Sequence, residues 1–189
     1  MIEVELKVRL KKDEIPNLIR KLENLGFKKY TKMEEIDTYF NGIDRDFRKT
    51  DEALRVRKAV DFHKKYINYY LTYKGPKMDD KSKTREEYQV IVNDGDVTKV
   101  ILEKLGFKPL PPIKKIREIY KNSEDITVSI DEVEGIGYFA EFEKTVKSES
   151  EREDAMKDLM NLIRSLNISD ERLIRLSYLE LRDIYEKER

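Results

Sequence analysis

Met1-Ile-Glu-Val-Glu-Leu-Lys-Val-Arg-Leu10 is the stretch that decides the fold. Ile2, Val4, Leu6, Val8 and Leu10 alternate strictly with Glu3, Glu5, Lys7 and Arg9. A period of two describes a β-strand with one apolar face and one fully charged face. Ile15, Leu18, Ile19, Leu22 and Leu25 then recur at helical spacing, with Asp13 placed to cap the helix and Gly26 to stop it.

The same plan recurs eighty positions later. Leu22-Glu-Asn-Leu-Gly-Phe-Lys28 returns as Leu102-Glu-Lys-Leu-Gly-Phe-Lys108, and Ile36–Phe40 falls on Ile116–Tyr120. Glu3, Glu5, Lys7 and Arg9 fall on Lys83, Arg85, Glu87 and Gln89, and Asp13 falls on Asn93. Val97, Val100, Ile101 and Leu105 read as the apolar stripe of the second helix. This is an internal pseudo-duplication, with halves of about 1–76 and 81–146. Each half adds two alternating strands: Leu54–Arg57 and Ile67–Lys74 in the first, Ile126–Asp131 and Tyr138–Glu143 in the second. Turn residues at Asn41-Gly42, Gly75-Pro76, Gly135 and Gly137 separate them. About eight strands are enough to close a sheet and remove its edges. The tail, 150–189, supplies a helix carrying Met156, Leu159, Met160, Ile163 and Leu166, and a last one starting near Ser169 or Ser177. The expected fold is a single α+β domain over 1–189: a closed antiparallel eight-stranded barrel with helices packed outside.

Composition narrows the function. The 189 residues carry 39 Lys+Arg and 39 Asp+Glu, a formal net charge of zero. That balance argues against nucleic-acid binding by bulk positive charge and against a polybasic membrane surface. No run approaches the roughly 18–20 apolar residues of a membrane span, and the N-terminus does not read as a signal peptide, so a cytoplasmic location is expected. Zero Cys excludes disulfides and thiolate chemistry. The only His, His63, sits in a loop segment, which removes Ser-His-Asp triads and poly-His metal sites.

Strand register puts Glu3, Glu5, Lys7, Arg9, Asp37, Arg55, Arg57, Lys74, Arg85, Glu87, Lys115, Arg117, Asp131, Glu141 and Glu143 on one face. A single such strand is ordinarily a solvated surface. Amphipathic helices outside a closed barrel change that reading, because they need the apolar strand faces to cover, and the charges must then line the lumen. Clustered Arg and Lys suit phosphate oxygens, Arg through its fork and Lys as a point charge. Clustered carboxylates suit Mg²⁺ or Mn²⁺, which prefer oxygen ligands. Together they describe a site for a metal–polyphosphate.

The ordered motifs resemble the CYTH superfamily, the triphosphate tunnel metalloenzymes. Its ExExK signature stands as Glu3-Val-Glu-Leu-Lys7. Asp37-Thr-Tyr-Phe40, Leu54-Arg-Val-Arg57, Tyr73-Lys-Gly-Pro76, Arg85-Glu-Glu87, Lys115-Ile-Arg117, Ile130-Asp131 and Glu141-Phe-Glu143 follow in order, up to Ser177-Tyr-Leu-Glu-Leu181. The resemblance implies that Glu3, Glu5, Asp131, Glu141 and Glu143 bind divalent metal. It implies that Lys7, Arg55, Arg57, Lys74, Lys115 and Arg117 hold the triphosphate, with Arg85 and Glu87 lining the same tunnel. Asp37 fits a metal role or a structural pairing with a lumen arginine, and Arg9 a rim position. Glu5, Lys7, Arg57, Lys74, Lys115 and Arg117 are the expected catalytic set.

Within the family, Leu102–Phe107, Ile113–Tyr120 and Tyr73–Pro76 look most like the class IV adenylyl cyclase branch, which turns ATP into cyclic AMP and pyrophosphate. Inorganic tripolyphosphatase, or nucleoside or thiamine triphosphatase, is the alternative, although the absence of Trp counts against thiamine triphosphate. A non-catalytic polyphosphate or nucleotide sensor is the non-enzyme alternative. The sequence leaves monomer or homodimer open. Tyr39 and Tyr70 fall on the charged face, Tyr69 and Tyr73 on the helix-facing side. The loops 41–52 and 76–84 are placed to fold over the tunnel mouth.

Overall fold

Alternation along the first strand survives burial of both its sides. In the computed structural model, which describes all 189 residues, Ile2–Leu10 forms β1, and only Arg9 in it keeps appreciable exposure. Its apolar face lies under helices and its charged face lines a lumen. The chain continues through α1 (Ile15–Asn24), β2 (Lys28–Asn41), the short α2 (Phe47–Thr50), β3 (Ala53–Asp61), β4 (Ile67–Lys74) and β5 (Arg85–Val92). It then runs through α3 (Gly95–Leu105), β6 (Lys108–Pro109), β7 (Ile113–Lys121), β8 (Thr127–Val133), β9 (Gly137–Val146), α4 (Glu149–Ser165) and α5 (Tyr178–Lys187).

All strand pairings are antiparallel, in the order β3-β4-β5-β1-β9-β8-β7-β2. Met33–Phe40 of β2 pair back onto Leu54–Asp61 of β3 and close eight strands into a barrel. The two residues of β6 add a short ninth pairing on β2. The strand long enough to bridge both partners is β2, whose Lys29/Thr31 irregularity bends it around the closure.

One apolar layer covers the barrel's outside and a second, on the inner strand face, plugs one end of the lumen. Leu18 and Leu22 of α1 and Leu159, Ile163 and Leu166 near α4 bury Val4, Leu6, Val8, Val128 and Phe142 of β1, β8 and β9. A smaller cluster joins Ile113, Val133, Ile136 and Phe139 to Tyr178 and Leu181 of α5. No helix is long and apolar enough to cross a membrane.

Local expectations needed three corrections. The cap of α1 is not Asp13: Lys12–Glu14 forms a 3-10 turn, and the Glu14 carboxylate accepts from the Lys11 amide at 2.7 Å, so the α-helix starts beyond it with Pro16 in its first turn. Asp94, not Asn93, caps α3, its carboxylate accepting from the Val97 amide at 2.9 Å. The stripe Val97, Val100, Ile101 and Leu105 does not face the barrel; all four are exposed. Here α3 docks instead through Leu102 and through Gly95, where an added Cβ would stand 2.2 Å from the Tyr69 ring. Tyr69 is therefore helix-facing, as its register implied.

Candidate active site

Inward-pointing side chains of seven of the eight barrel strands, all but β8, together with α5 and the α2 loop, enclose a cavity of about 470 Å³, within the roughly 300–1,000 Å³ range of small-molecule sites. Its lining contains Glu3, Glu5, Arg55, Arg57, Lys74, Arg85, Glu87, Lys115, Arg117, Glu141 and Glu143. The alternation did this: on any strand the residues at i and i+2 enter the lumen together. Lys7, Asp37 and Asp131 are buried behind that lining. Arg9 lies at the rim, over the Phe139 ring and bonded to the Tyr185 hydroxyl.

Most of these charges satisfy one another. Arg57 forks onto Asp37 at 2.6 and 2.8 Å, and Arg57 and Lys115 each reach Glu35 at 3.2 Å. Arg117 forks onto Asp131 at 2.7 and 2.6 Å and donates to Glu141 at 2.7 Å. Lys74 holds Glu3 at 2.6 Å and Glu87 at 3.3 Å. Lys83 holds Glu5 at 2.7 Å and Glu141 at 3.7 Å, while Lys7 lies 3.4 Å from Glu141. Burial would raise the Glu3 carboxyl, but Lys74 holds it down at about 2, and Arg57 and Lys115 do the same for Glu35. Burial and the adjacent Lys83 push Lys7 well below the ordinary lysine range.

Three groups are left over. Arg55 is buried yet donates only to the Thr72 hydroxyl, at 3.3 Å, and its Nε has no partner. Arg85, equally buried, has an acid no nearer than Asp51 at 4.0 Å. Glu143 makes no ion pair, and burial together with the charges of Glu3 and Glu5 raises its carboxyl to about 8. The lumen thus keeps spare cations on the β3 and β5 wall and a spare acid on β9.

That spare acid makes stability depend on pH. The Glu143 carboxyl titrates near 4.5 when unfolded and near 8 when folded, so the native state binds the extra proton between those values. Stability is therefore lost as pH rises through that window. Glu143→Gln is expected to flatten this loss: between pH 5 and pH 8, in chelator, its melting temperature should fall less than that of the parent chain. Parallel curves would remove the strain assigned to Glu143.

Helix α5 closes over one opening. The Tyr178 hydroxyl donates to Asp131 at 2.6 Å, and the Lys7 ammonium sits 3.6 Å from the ring centre and donates to the Leu176 carbonyl at 3.0 Å. The loop carrying α2 brings Phe47, Arg48, Asp51 and Glu52 to the cavity beside Leu179, Asp183 and Ile184 of α5. Arg48 and Asp183 approach to 3.2 Å across this mouth. Lys77 of the second loop donates to Asp51 at 2.7 Å. Tyr39 lines the cavity; Tyr70 shares the inner face but lies outside the lining. Arg172 and Arg175 do not reach the lumen: they bond Glu14 and the carbonyls of Ser82 and Asp79.

Three site residues escaped the sequence reading. Lys83 was legible, since it alternates with Arg85 and Glu87, but it precedes β5 and read as loop. Glu35 alternates with Asp37 in the same way. Tyr178 carries no charge, and nothing in a helical stripe says that its hydroxyl meets a buried aspartate.

Divalent metal fits part of this set. Glu3, Glu5, Glu141 and Glu143 offer oxygen donors on the two adjacent strands β1 and β9, and the unpaired Glu143 is the group a cation would relieve. They are not gathered into a ready chelate, since Glu3 and Glu5 are held by Lys74 and Lys83. Asp131 is engaged by Arg117 and Tyr178, as Glu141 is by Arg117, Lys7 and Lys83, so either would have to exchange a partner to bind a cation.

Comparison with known proteins matches this geometry. The CYTH domain family matches residues 1–178. A Methanocaldococcus jannaschii protein, provisionally named an adenylate cyclase, is 50% identical over 184 residues, 97% of this chain and all of that one. The solved structure of a Pyrococcus horikoshii protein superposes with a TM-score of 0.86 at 40% identity, over 98% of this chain and 99% of that one. A Hippeastrum protein, provisionally named an adenylyl cyclase and described as having a dominant triphosphatase activity, shares the fold at 16% identity and a TM-score of 0.61, over 100% of this chain and 96% of that one. CYTH members process triphosphates with divalent metal, and this chain belongs to the CYTH family.

Proposed function

We propose that the chain cleaves a nucleoside triphosphate held in the barrel, converting ATP to cyclic AMP and pyrophosphate. One observation carries the triphosphate: buried Arg55 and Arg85 line the cavity without a carboxylate close enough to hold them, facing an unpaired Glu143. Unpaired buried cations are costly, and a polyphosphate supplies the missing oxygens. Two supports favour a nucleoside: apolar Phe47, Leu179 and Ile184 at the mouth, and the name of the half-identical relative.

In this reading Arg55 and Arg85 fork onto phosphate oxygens, and Lys74, Lys115, Arg57 and Arg117 neutralise charge along the chain of phosphates. Glu3, Glu5, Glu141 and Glu143 would hold Mg²⁺ or Mn²⁺, which would supply Lewis-acid stabilisation of the charge that develops in the reaction. The knots Arg57–Asp37 and Arg117–Asp131 keep the arginines fixed, so little reorganisation is needed when substrate arrives. For cyclisation the ribose 3′-hydroxyl oxygen bonds to the α-phosphorus as the bond to the α–β bridging oxygen breaks, its proton passes to water, and the basic wall retains the departing pyrophosphate.

Hydrolysis of the terminal phosphate is the second reading. The same fold carries a dominant triphosphatase activity in the Hippeastrum protein, so the fold alone does not choose between the reactions. Incubation with ATP, or with inorganic tripolyphosphate, plus Mg²⁺ or Mn²⁺ separates them. Cyclic AMP with pyrophosphate supports the cyclase, phosphate release the triphosphatase, and tight ATP binding without product would make the protein a sensor. Arg55→Ala is expected to weaken ATP binding by about 1.5–3 kcal/mol, the contribution of a charged hydrogen-bonded contact, with the melting temperature nearly unchanged. Undiminished affinity in a calorimetric titration would dismiss Arg55 as a phosphate ligand.

A further inference from the structure

Four carboxylates crowd the β1 and β9 side of the lumen. Glu5 stands opposite Glu143, with Glu3 and Glu141 on the same two strands. Buried acids at such spacing need cations, and three lysines answer them in different ways. Lys74 is shared between Glu3 at 2.6 Å and Glu87 at 3.3 Å, so it keeps an acid if Glu3 turns elsewhere. Lys7, 3.4 Å from Glu141, stands outside the cavity lining, tied to the Leu176 carbonyl at 3.0 Å and covered by the Tyr178 ring. Lys83 differs from both. It lines the cavity, and its ammonium has no partner besides Glu5 at 2.7 Å and Glu141 at 3.7 Å.

The main chain under Lys83 is fixed. Its amide donates to the Glu5 carbonyl at 3.1 Å, the Ser82 carbonyl accepts from Arg175 at 3.2 Å, and the amide of Met78 donates to the Thr84 carbonyl at 2.8 Å. Only the side chain is free to move, and a lysine stem is a flexible carrier of a single point charge. Glu5 in turn has no other ion-pair partner. The eighty-residue offset sets Lys83 on Glu3, so the second half supplies a cation where the first half supplies an acid.

We propose that Lys83 is an exchangeable counter-cation, which pairs with Glu5 and Glu141 while they hold no metal and swings into the cavity when a divalent cation takes their oxygens. A divalent ion brings twice the charge and a strict preference for oxygen donors, so it outcompetes one ammonium on two carboxylates. The released ammonium stays in the cavity, where water or a phosphate oxygen accepts from it. The lysine thereby lowers the affinity of the site for metal and keeps the carboxylates apart without it. This rests on the reading of Glu5 and Glu141 as metal carboxylates under the proposed function, but it does not depend on which reaction follows.

Calorimetric titration of the full chain with Mn²⁺ alone tests it. Lys83→Met, which removes the competitor, is expected to lower the Mn²⁺ dissociation constant by about tenfold, the order that groups beside metal ligands contribute to affinity. In chelator its melting temperature should be below that of the parent, and saturating Mn²⁺ should raise it by more than it raises the parent's. Lys83→Arg, whose fork grips both carboxylates harder, should raise the dissociation constant. Lys77→Met removes an equal charge from a lysine that pairs with Asp51 and Glu180 instead, and should leave it nearly unchanged. In the parent, the ¹⁵N signal of the Lys83 ammonium, assigned by its loss in Lys83→Arg, should broaden on addition of Mg²⁺ as the ammonium meets solvent. Unaltered or weaker Mn²⁺ binding by Lys83→Met, equal tightening by Lys77→Met, or no binding by the parent overturns the proposal. If Lys83→Met does not fold, parental or tighter binding by Lys83→Arg, or an ammonium signal that Mg²⁺ leaves unmoved, does the same. A chain that shows these shifts and yields no product from ATP or tripolyphosphate loses the proposed reaction and keeps the exchange.

Discussion

Glu5→Gln is expected to lower metal-dependent turnover by about 10²–10³-fold, the usual effect of removing one group that stabilises transition-state charge. The fold should survive. Burial and the neighbouring Glu141 raise the Glu5 carboxyl above its ordinary range, so in the metal-free protein its charge is already disfavoured. A glutamine keeps the shape and can still accept from Lys83, which now stands 2.7 Å from Glu5. What the variant loses is the anionic oxygen that a divalent cation and its phosphate ligand require. Steady-state turnover should therefore fall and the Mn²⁺ dissociation constant rise together. Wild-type values of both would refute the assigned role.

Arg117→Met has the opposite profile, a large stability loss whether or not substrate is present. Arg117 is the shared cation of Asp131 and Glu141, at 2.6 to 2.7 Å, with Glu35 at 3.8 Å. Methionine keeps much of the volume and removes the charge, leaving Asp131 with the Tyr178 hydroxyl as its remaining side-chain partner. Stripping one partner from a buried pair costs about 3–5 kcal/mol. In a chain of this size each kcal/mol moves the melting temperature by roughly 2–4 °C, so a fall of about 10 °C is expected in a thermal melt. A fall of less than about 3 °C would mean that the Arg117 knot is not what holds Asp131 in place.

These two results probe different populations of the 39 positive and 39 negative charges. The paired knots around Arg57 and Arg117 stiffen the lumen. The leftover Arg55, Arg85 and Glu143 are the groups that a ligand would satisfy. Deleting a knot should be felt in stability, and deleting a leftover mainly in binding.

The first ten residues determined the barrel, because a period of two can be buried on both sides only when its two faces meet different environments. The pattern Glu3, Glu5, Lys7 against Ile2, Val4, Leu6 leaves a charged lumen under an apolar exterior as the consistent arrangement. The same alternation assigned nearly every cavity residue, since register fixes facing without any knowledge of contacts. Partnership was beyond it. That Asp37 and Asp131 are held by Arg57 and Arg117 while Arg55 and Glu143 go without depends on which strands the closure makes neighbours. Lys83 entered the lumen from outside a strand, and Tyr178 came from the far end of the chain. The stripe of α3 shows the same limit from the other side: periodicity says that Val97, Val100, Ile101 and Leu105 form a face, but only docking through Gly95 and Leu102 decides that it points outward.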